Sequence, residues 1–126
     1  MPTQRLVIEN APERAGPYSH AVLANGFVFV SGQGPADPQT GRMPDDFSGQ
    51  VRQALLNMET ILKGAGSSLS EVVKVNAYLA DLTDFDRFNA VYSTFFKDEL
   101  PVRTTIGCAL NGILFEVDCI ATLAER

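Results

Sequence analysis

Pro101 to Glu116 reads PVRTTIGCALNGILFE, and the way this stretch pairs decides the fold. It holds one arginine in an otherwise uncharged run, an Asn-Gly pair, and one glutamate on the return. Asn-Gly is the preferred pair for a two-residue type I′ turn, because both central residues take positive φ. A tight turn at Asn111-Gly112 predicts an antiparallel hairpin with Leu110 facing Ile113, Gly107 opposite Glu116 and Arg103 opposite Ile120. Side chains alternate faces along a strand. One face would then carry Ile106, Cys108, Leu110, Phe115, Val117, Cys119, Ala121 and Leu123, a core surface. The other would carry Arg103, Thr105, Gly107, Glu116 and Asp118. Arg103 and Glu116 would share that polar face about 13 Å apart between Cα atoms, at roughly 3.3 Å per residue. Gly107 would keep the space opposite Glu116 clear for a small ligand and a water. The competing reading is an exposed sheet face with two ordinary surface charges. The functional reading asks both side chains to face one pocket from this single ribbon; on opposite sides of the sheet they would leave only a fold assignment.

Upstream, Leu6-Val7-Ile8 is a strand candidate that stops at Asn10-Ala11-Pro12. Gly16-Pro17-Tyr18-Ser19-His20-Ala21 is a loop fixed by Gly-Pro that delivers an aromatic hydroxyl and leads into Ala21 to Ala24. Asn25-Gly26 reads as a second hairpin turn, and Phe27 to Ser31 as a buried strand ended by Gly32-Gln33-Gly34-Pro35. Residues 34–46 are loop, rich in Pro, Gly and Asp. Val51, Ala54, Leu55, Met58, Ile61, Leu62 and Ala65 follow helical spacing, with Asp45, Asp46 or Ser48 as cap and Gly64 and Gly66 as the stop. Val72 to Leu79 alternates as a half-buried strand. Asp84 caps a second helix with an apolar stripe of Phe85, Phe88, Tyr92, Phe95 and Phe96, which Pro101 ends. The order β-β-β-α-β-α-β-β predicts an α+β layer, with two helices on one face of a mixed sheet and the other face left for solvent or another subunit.

A chain of 126 residues, 45% apolar and 20% charged, suits one globular domain over 1–126. The net charge of -5 and the lack of any basic run argue against nucleic acid as a partner. Cys108 and Cys119 fall on the predicted core face at positions that do not pair, so free thiols of a reducing compartment are expected. One histidine and two scattered cysteines give no metal-ligand spacing and no nucleophilic triad. The N-terminus lacks the apolar run of a signal peptide, and no stretch approaches the roughly 18 apolar residues of a membrane span. A cytosolic location is expected.

Several stretches, in order and over nearly the whole chain, resemble one family. They are Ala11-Pro12, Gly16-Pro17-Tyr18-Ser19-His20-Ala21, Ser31-Gly32-Gln33, Ala65-Gly66, Val72-Val73-Lys74, Asp84-Phe85, Asn89-Ala90-Val91-Tyr92, Phe95-Phe96, Pro101-Val102-Arg103 and Glu116-Val117-Asp118-Cys119-Ile120-Ala121. The pattern is similar to that of the Rid family, reactive-intermediate deaminases of the RidA/YjgF type. The resemblance implies a chorismate-mutase-like fold, a homotrimer with its sheets turned inward, and three sites in the clefts between subunits. It implies that Arg103 binds a substrate carboxylate, that Glu116 positions a water, and that Tyr18, Ser31, Gly32 and Asn89 belong to the site. Thr105 stands where archetypal members often have cysteine, and the hairpin looks about two residues shorter than theirs. Both departures concern side-chain selectivity.

The reaction so implied is hydrolysis of 2-imino or enamine acids, of the 2-iminobutanoate and 2-iminopropanoate type, to 2-oxo acids and ammonia. A protonated imine carbon is already electrophilic, so the chemistry asks for no metal or cofactor. A guanidinium fork suits the carboxylate, a glutamate within reach of water suits the proton, and Tyr18 has a hydroxyl to donate. Arg103 as an ion-pair partner, Glu116 as a structural carboxylate and Tyr18 as loop packing are the plainer alternatives. Ser31 and Asn89 suit supporting hydrogen bonds, Thr105 the pocket wall, and His20 a satisfied polar role without chemistry. A non-catalytic binder of small 2-oxo carboxylates would use the same arginine but tolerate Glu116→Gln. Endoribonuclease or translation-inhibitor activity, ascribed to relatives, fits the acidic charge least.

Overall fold

The computed structural model describes residues 2–124. The elements follow in the order β1 (Gln4–Leu6), β2 (Ala21–Ala24), β3 (Phe27–Gln33), α1 (Phe47–Gly64), β4 (Val72–Leu79), α2 (Phe85–Phe95), β5 (Val102–Gly107) and β6 (Phe115–Thr122), with short 3₁₀ turns before β4 and α2. The strands make one mixed sheet ordered β1-β2-β3-β6-β4-β5. Both helices lie on one face, α1 against β3 and β6 and α2 against α1. This is the predicted α+β layer, with a chorismate-mutase-like arrangement.

Local chemistry sets most boundaries as expected. Asn25 and Gly26 take φ of 52° and 81°, so they form the tight β2–β3 hairpin with Ala24 opposite Phe27. Asp46 caps α1, its carboxylate accepting from the Gly49 N–H at 3.0 Å. The helix ends where Gly66 adopts φ 89° and the Ser67 N–H reaches back to the Leu62 carbonyl. Its Val51, Leu55, Met58 and Ile61 are fully buried; each such side chain contributes about 2 kcal/mol by burial. Asp84 stands at the N-cap of α2 without capping through its side chain. Its carboxylate accepts from Arg87 Nη1 at 2.6 Å, and Asp81 caps the preceding turn through Thr83. The first strand lies two residues earlier than expected, and Phe27–Gln33 alternates instead of being buried on both sides. Phe27 and Phe29 are exposed while Val28 and Val30 are buried.

The predicted hairpin at residues 101–116 does not form. β5 pairs with β4 in parallel, through α2 as a crossover, and β6 enters on the other side of β4, antiparallel to both β4 and β3. The chain between β5 and β6 passes across the end of β4. Ala80 N–H donates to Leu114 O, and the buried Gln50 of α1 accepts from the Leu114 N–H at 2.8 Å. Gly112 has φ 77° but Asn111 does not join it in the left-handed region, so no type I′ turn exists there. Burial explains the outcome. Phe115, Val117, Cys119 and Ala121 are all buried and need a central strand, whereas β5 shows only exposed and half-buried positions and suits an edge. Among the described residues both cysteines are free, and no helix is long and apolar enough to cross a membrane.

Candidate active site

Register now decides which way each functional side chain points. Glu116 lies opposite Tyr78, and Asp118 opposite Asn76. Val75, Ala77 and Leu79, which alternate with Asn76 and Tyr78 along β4, are buried under the helices. Glu116 therefore points away from the helices. Arg103 lies opposite Val75 and Thr105 opposite Ala77, so these two face the helix layer. The expectation that Arg103 and Glu116 share one face is overturned, because β4 intervenes and shifts the parity of the edge strand. The functional reading built on a single ribbon falls with it: one chain by itself carries only the fold assignment. Their Cα atoms are still roughly 14 Å apart, two strand spacings across and three residues along. The sheet itself separates their side chains. Gly107 lies beside Leu82, not opposite Glu116.

On the outer face Glu116 meets the N-terminal half of the chain. Tyr18, His20, Gly32, Gln33, Ile113 and Glu116 line a cavity of about 280 Å³, together with Glu13 and Arg14. Gly32 is the residue that makes room, since a Cβ built there would sit 2.5 Å from a Glu116 carboxylate oxygen. Burial pushes the Glu116 carboxyl above its ordinary value, and the negative charge of Asp118 adds to this. Glu116 has no hydrogen-bond partner among the described residues, while Asp118 is held by Asn76 Nδ2 at 2.9 Å and Tyr78 Oη at 2.8 Å. The Tyr18 oxygen accepts from the Ala15 N–H at 3.0 Å, so its own proton is left to donate elsewhere. Ser31 Oγ donates to the His20 carbonyl at 3.1 Å and buttresses the loop behind the cavity. His20 is buried and fully satisfied. Its Nδ1 accepts from the Ile8 N–H at 2.8 Å, so Nε2 carries the proton and donates to Pro12 O at 2.8 Å. The far wall, residues 34–36, hangs on buried Asn57, which donates to Gly34 O and Ala36 O at 3.0 and 2.8 Å.

Arg103 occupies a different place. Its guanidinium carbon stands 4.7 Å from the Phe88 ring, 4.8 Å from Tyr92 and 5.8 Å from Phe85. No carboxylate neutralises it among the described residues. Asn89 follows Phe85 by four residues and precedes Tyr92 by three, so it shares that helix stripe. Among the described residues the buried Thr105 Oγ1 and Tyr92 Oη have no hydrogen-bond partner, and burial pushes the Tyr92 hydroxyl up to about 12. Within one chain the candidate residues thus fall into two separate groups on opposite faces of the sheet. Tyr18, Gly32 and Glu116, backed by Ser31, make one; Arg103, Thr105 and Asn89 make the other. A larger cavity of about 820 Å³ lies near the Asn25-Gly26 turn, but none of these residues lines it.

Sequence reasoning missed the Gly32–Glu116 contact and the Asn76–Tyr78–Asp118 cluster. The signal for the second was present, since Lys74, Asn76 and Tyr78 alternate with apolar residues in VVKVNAYL.

A family model described as Endoribonuclease L-PSP matches residues 8–123. The chain belongs to the RidA/YjgF family. Among relatives of this family, Reactive Intermediate Deaminase A, chloroplastic, of Arabidopsis thaliana is 43% identical over 119 residues, covering 91% of this chain and 63% of that protein. Among solved structures, yeast YEO7 superposes with a TM-score of 0.94 at 34% identity, covering 98% of this chain and all of that one. Escherichia coli TdcF with bound serine matches at a TM-score of 0.87 and 35% identity, over 94% of this chain and 98% of its own. These likenesses establish the RidA/YjgF fold.

Proposed function

We propose that this chain hydrolyses reactive 2-imino acids, of the 2-iminobutanoate and 2-iminopropanoate type, to 2-oxo acids and ammonia. Each site is assembled between two subunits of a homotrimer, from Arg103 of one and Glu116 of the partner subunit. The observation that carries this is the pair of half-sites. An unneutralised guanidinium on an aromatic shelf and an unpartnered carboxylate in a cavity stand on opposite faces of one sheet, where neither can complete the other in cis. Two further features support the assembly. The outer sheet face exposes Phe27, Phe29, Val102 and Ile106, an apolar face suited to other copies of the chain. The family includes a protein named as a reactive-intermediate deaminase and one solved with a bound amino acid.

The chemistry follows from the groups. Arg103 takes the substrate carboxylate in a bidentate grip, fixing the imine carbon over the cavity. Glu116 accepts a proton from a water as its oxygen bonds to the protonated imine carbon and the C=N pair moves onto nitrogen. It returns that proton to the nitrogen, then takes the carbinol hydroxyl proton as the C–N bond breaks, leaving the 2-oxo acid and ammonia. Its raised proton affinity suits these transfers. Tyr18 donates to the water or to the departing nitrogen. Thr105 and Asn89, beside Arg103, shape the room for the substrate side chain. Holding the reactants this way removes several kcal/mol of barrier.

Mixing two inactive variants tests the arrangement. Arg103→Ala and Glu116→Gln are unfolded together at equal ratio, refolded, and given 2-iminobutanoate made in situ. A site needing one group from each of two neighbours is intact about a quarter of the time in random trimers. Recovery near a quarter of wild-type turnover is expected, and no recovery above either variant alone would refute the shared site. A binder without turnover would leave wild-type decay equal to buffer while still retaining 2-oxobutanoate. The endoribonuclease named in the family description is the reading least suited to a chain of net charge -5 without a basic run.

A further inference from the structure

We propose that Asp118, clamped by Asn76 and Tyr78, is a positioning residue that acts through Glu116 and sets the pH range in which Glu116 handles protons. The inference rests on the reading of Glu116 as the proton handler and adds three residues that the reaction itself does not touch. Asp118 follows Glu116 by two positions on β6, so both carboxylates stand on the same face of the sheet. Like charges at that spacing disfavour a second ionisation. Such a pair relaxes by turning apart unless one member is tied down. Here Asp118 is tied at both oxygens, Oδ1 by Asn76 and Oδ2 by Tyr78.

The same two bonds have a second effect. Tyr78 is the register partner of Glu116, yet its hydroxyl donates to Asp118. Glu116 is left bare for water. The other ionisable or charged groups around Glu116 are Tyr18, His20, Glu13 and Arg14 across the cavity, with Cys108 beside Tyr78. Lys74, further along β4, is engaged with Thr104. The helices contribute none, since they lie on the opposite face. Arg14 is itself bonded to the Tyr18 carbonyl at 3.1 Å and is exposed. Asp118 is therefore the fixed charge on Glu116's own strand and face.

The test is a carbon-detected NMR titration of the Glu116 side-chain carboxyl in the unliganded full-length protein. Asp118→Asn keeps the shape and one acceptor, and should lower the Glu116 midpoint by roughly half to one pH unit. Tyr78→Phe leaves the Asp118 charge and the Asn76 tie in place, so it should lower the midpoint by clearly less. The acidic limb of kcat/KM should follow the Asp118→Asn shift, with 2-oxobutanoate affinity unchanged. A Glu116 midpoint unmoved in Asp118→Asn overturns the inference, as does an equal fall in Tyr78→Phe, which would make the effect one of packing. Absence of turnover in the wild type would overturn the deaminase reading instead, and the NMR shift would still decide the role of Asp118.

Discussion

Gly32→Ala separates site geometry from fold stability. The added methyl would lie 2.5 Å from a Glu116 carboxylate oxygen and 3.1 Å from the carboxyl carbon. Ordinary contact begins near 3.4 Å, so the carboxylate must retreat by about 0.9 Å. The atoms in the way are the far end of a flexible side chain, so the fold yields cheaply. Gly32 does not have a left-handed backbone, and alanine there restricts the unfolded chain, a gain of about 0.4–1 kcal/mol where the backbone fits. The expected result is a melting temperature equal to or slightly above wild type. The displaced group is the one proposed to meet the water, and a misplacement of about 1 Å costs on the order of a hundredfold in rate. The assay is kcat/KM on 2-iminobutanoate generated in situ, beside a thermal melt. Gly107→Ala is the control, because its methyl would meet Leu82 at 2.6 Å and not Glu116. A Gly32→Ala protein with wild-type kcat/KM would refute the role given to Glu116 and its glycine.

Arg103→Lys keeps the charge and loses the fork, so 2-oxobutanoate affinity measured calorimetrically should fall about tenfold; an unchanged affinity would remove the carboxylate role. For Glu116, burial places the folded proton affinity above the unfolded one. The stability linked to that proton is complete below the ordinary glutamate range near pH 4, and is lost as pH rises through the folded value. Glu116→Gln should accordingly melt about 1–2 °C higher at pH 7, with the gain vanishing toward pH 4; equal melts at both pH values would contradict the shift. Asn57→Ala strands the Gly34 and Ala36 carbonyls and should lower stability in urea by about 2–4 kcal/mol. A change below about 0.5 kcal/mol would show that water replaces those bonds.

Both Asn-Gly pairs look alike on paper and end differently. Asn25-Gly26 joins two strands whose inward residues, Ala21 and Leu23 on β2 and Val28 and Val30 on β3, meet across the turn, so the local turn preference and the packing agree. Asn111-Gly112 has the same preference, but the chain after it is needed in the centre of the sheet, and burying Phe115 through Ala121 outweighs a turn that contributes little by itself. The alternation within β6 was legible, and correctly put Glu116 and Asp118 on one face. The facing of β5 was not, because an edge strand with Arg103 and Thr105 turned toward the helices breaks the rule that polar side chains point outward. Arg103 tolerates that side because Phe88 and Tyr92 offer ring faces to its guanidinium.

The amino-acid order alone determined the element sequence, the two amphipathic helices, a first-helix cap among Asp45, Asp46 and Ser48 with a stop at Gly64 and Gly66, and the family, since these depend on local spacing and backbone preference. Only the tertiary structure decided that β6 slips between β3 and β4, that Arg103 and Glu116 stand on opposite faces, and that Gly32 is the glycine making room for the carboxylate. Those outcomes depend on which strand gains most from burial on both flanks, a comparison made across the whole sheet and invisible to any one segment.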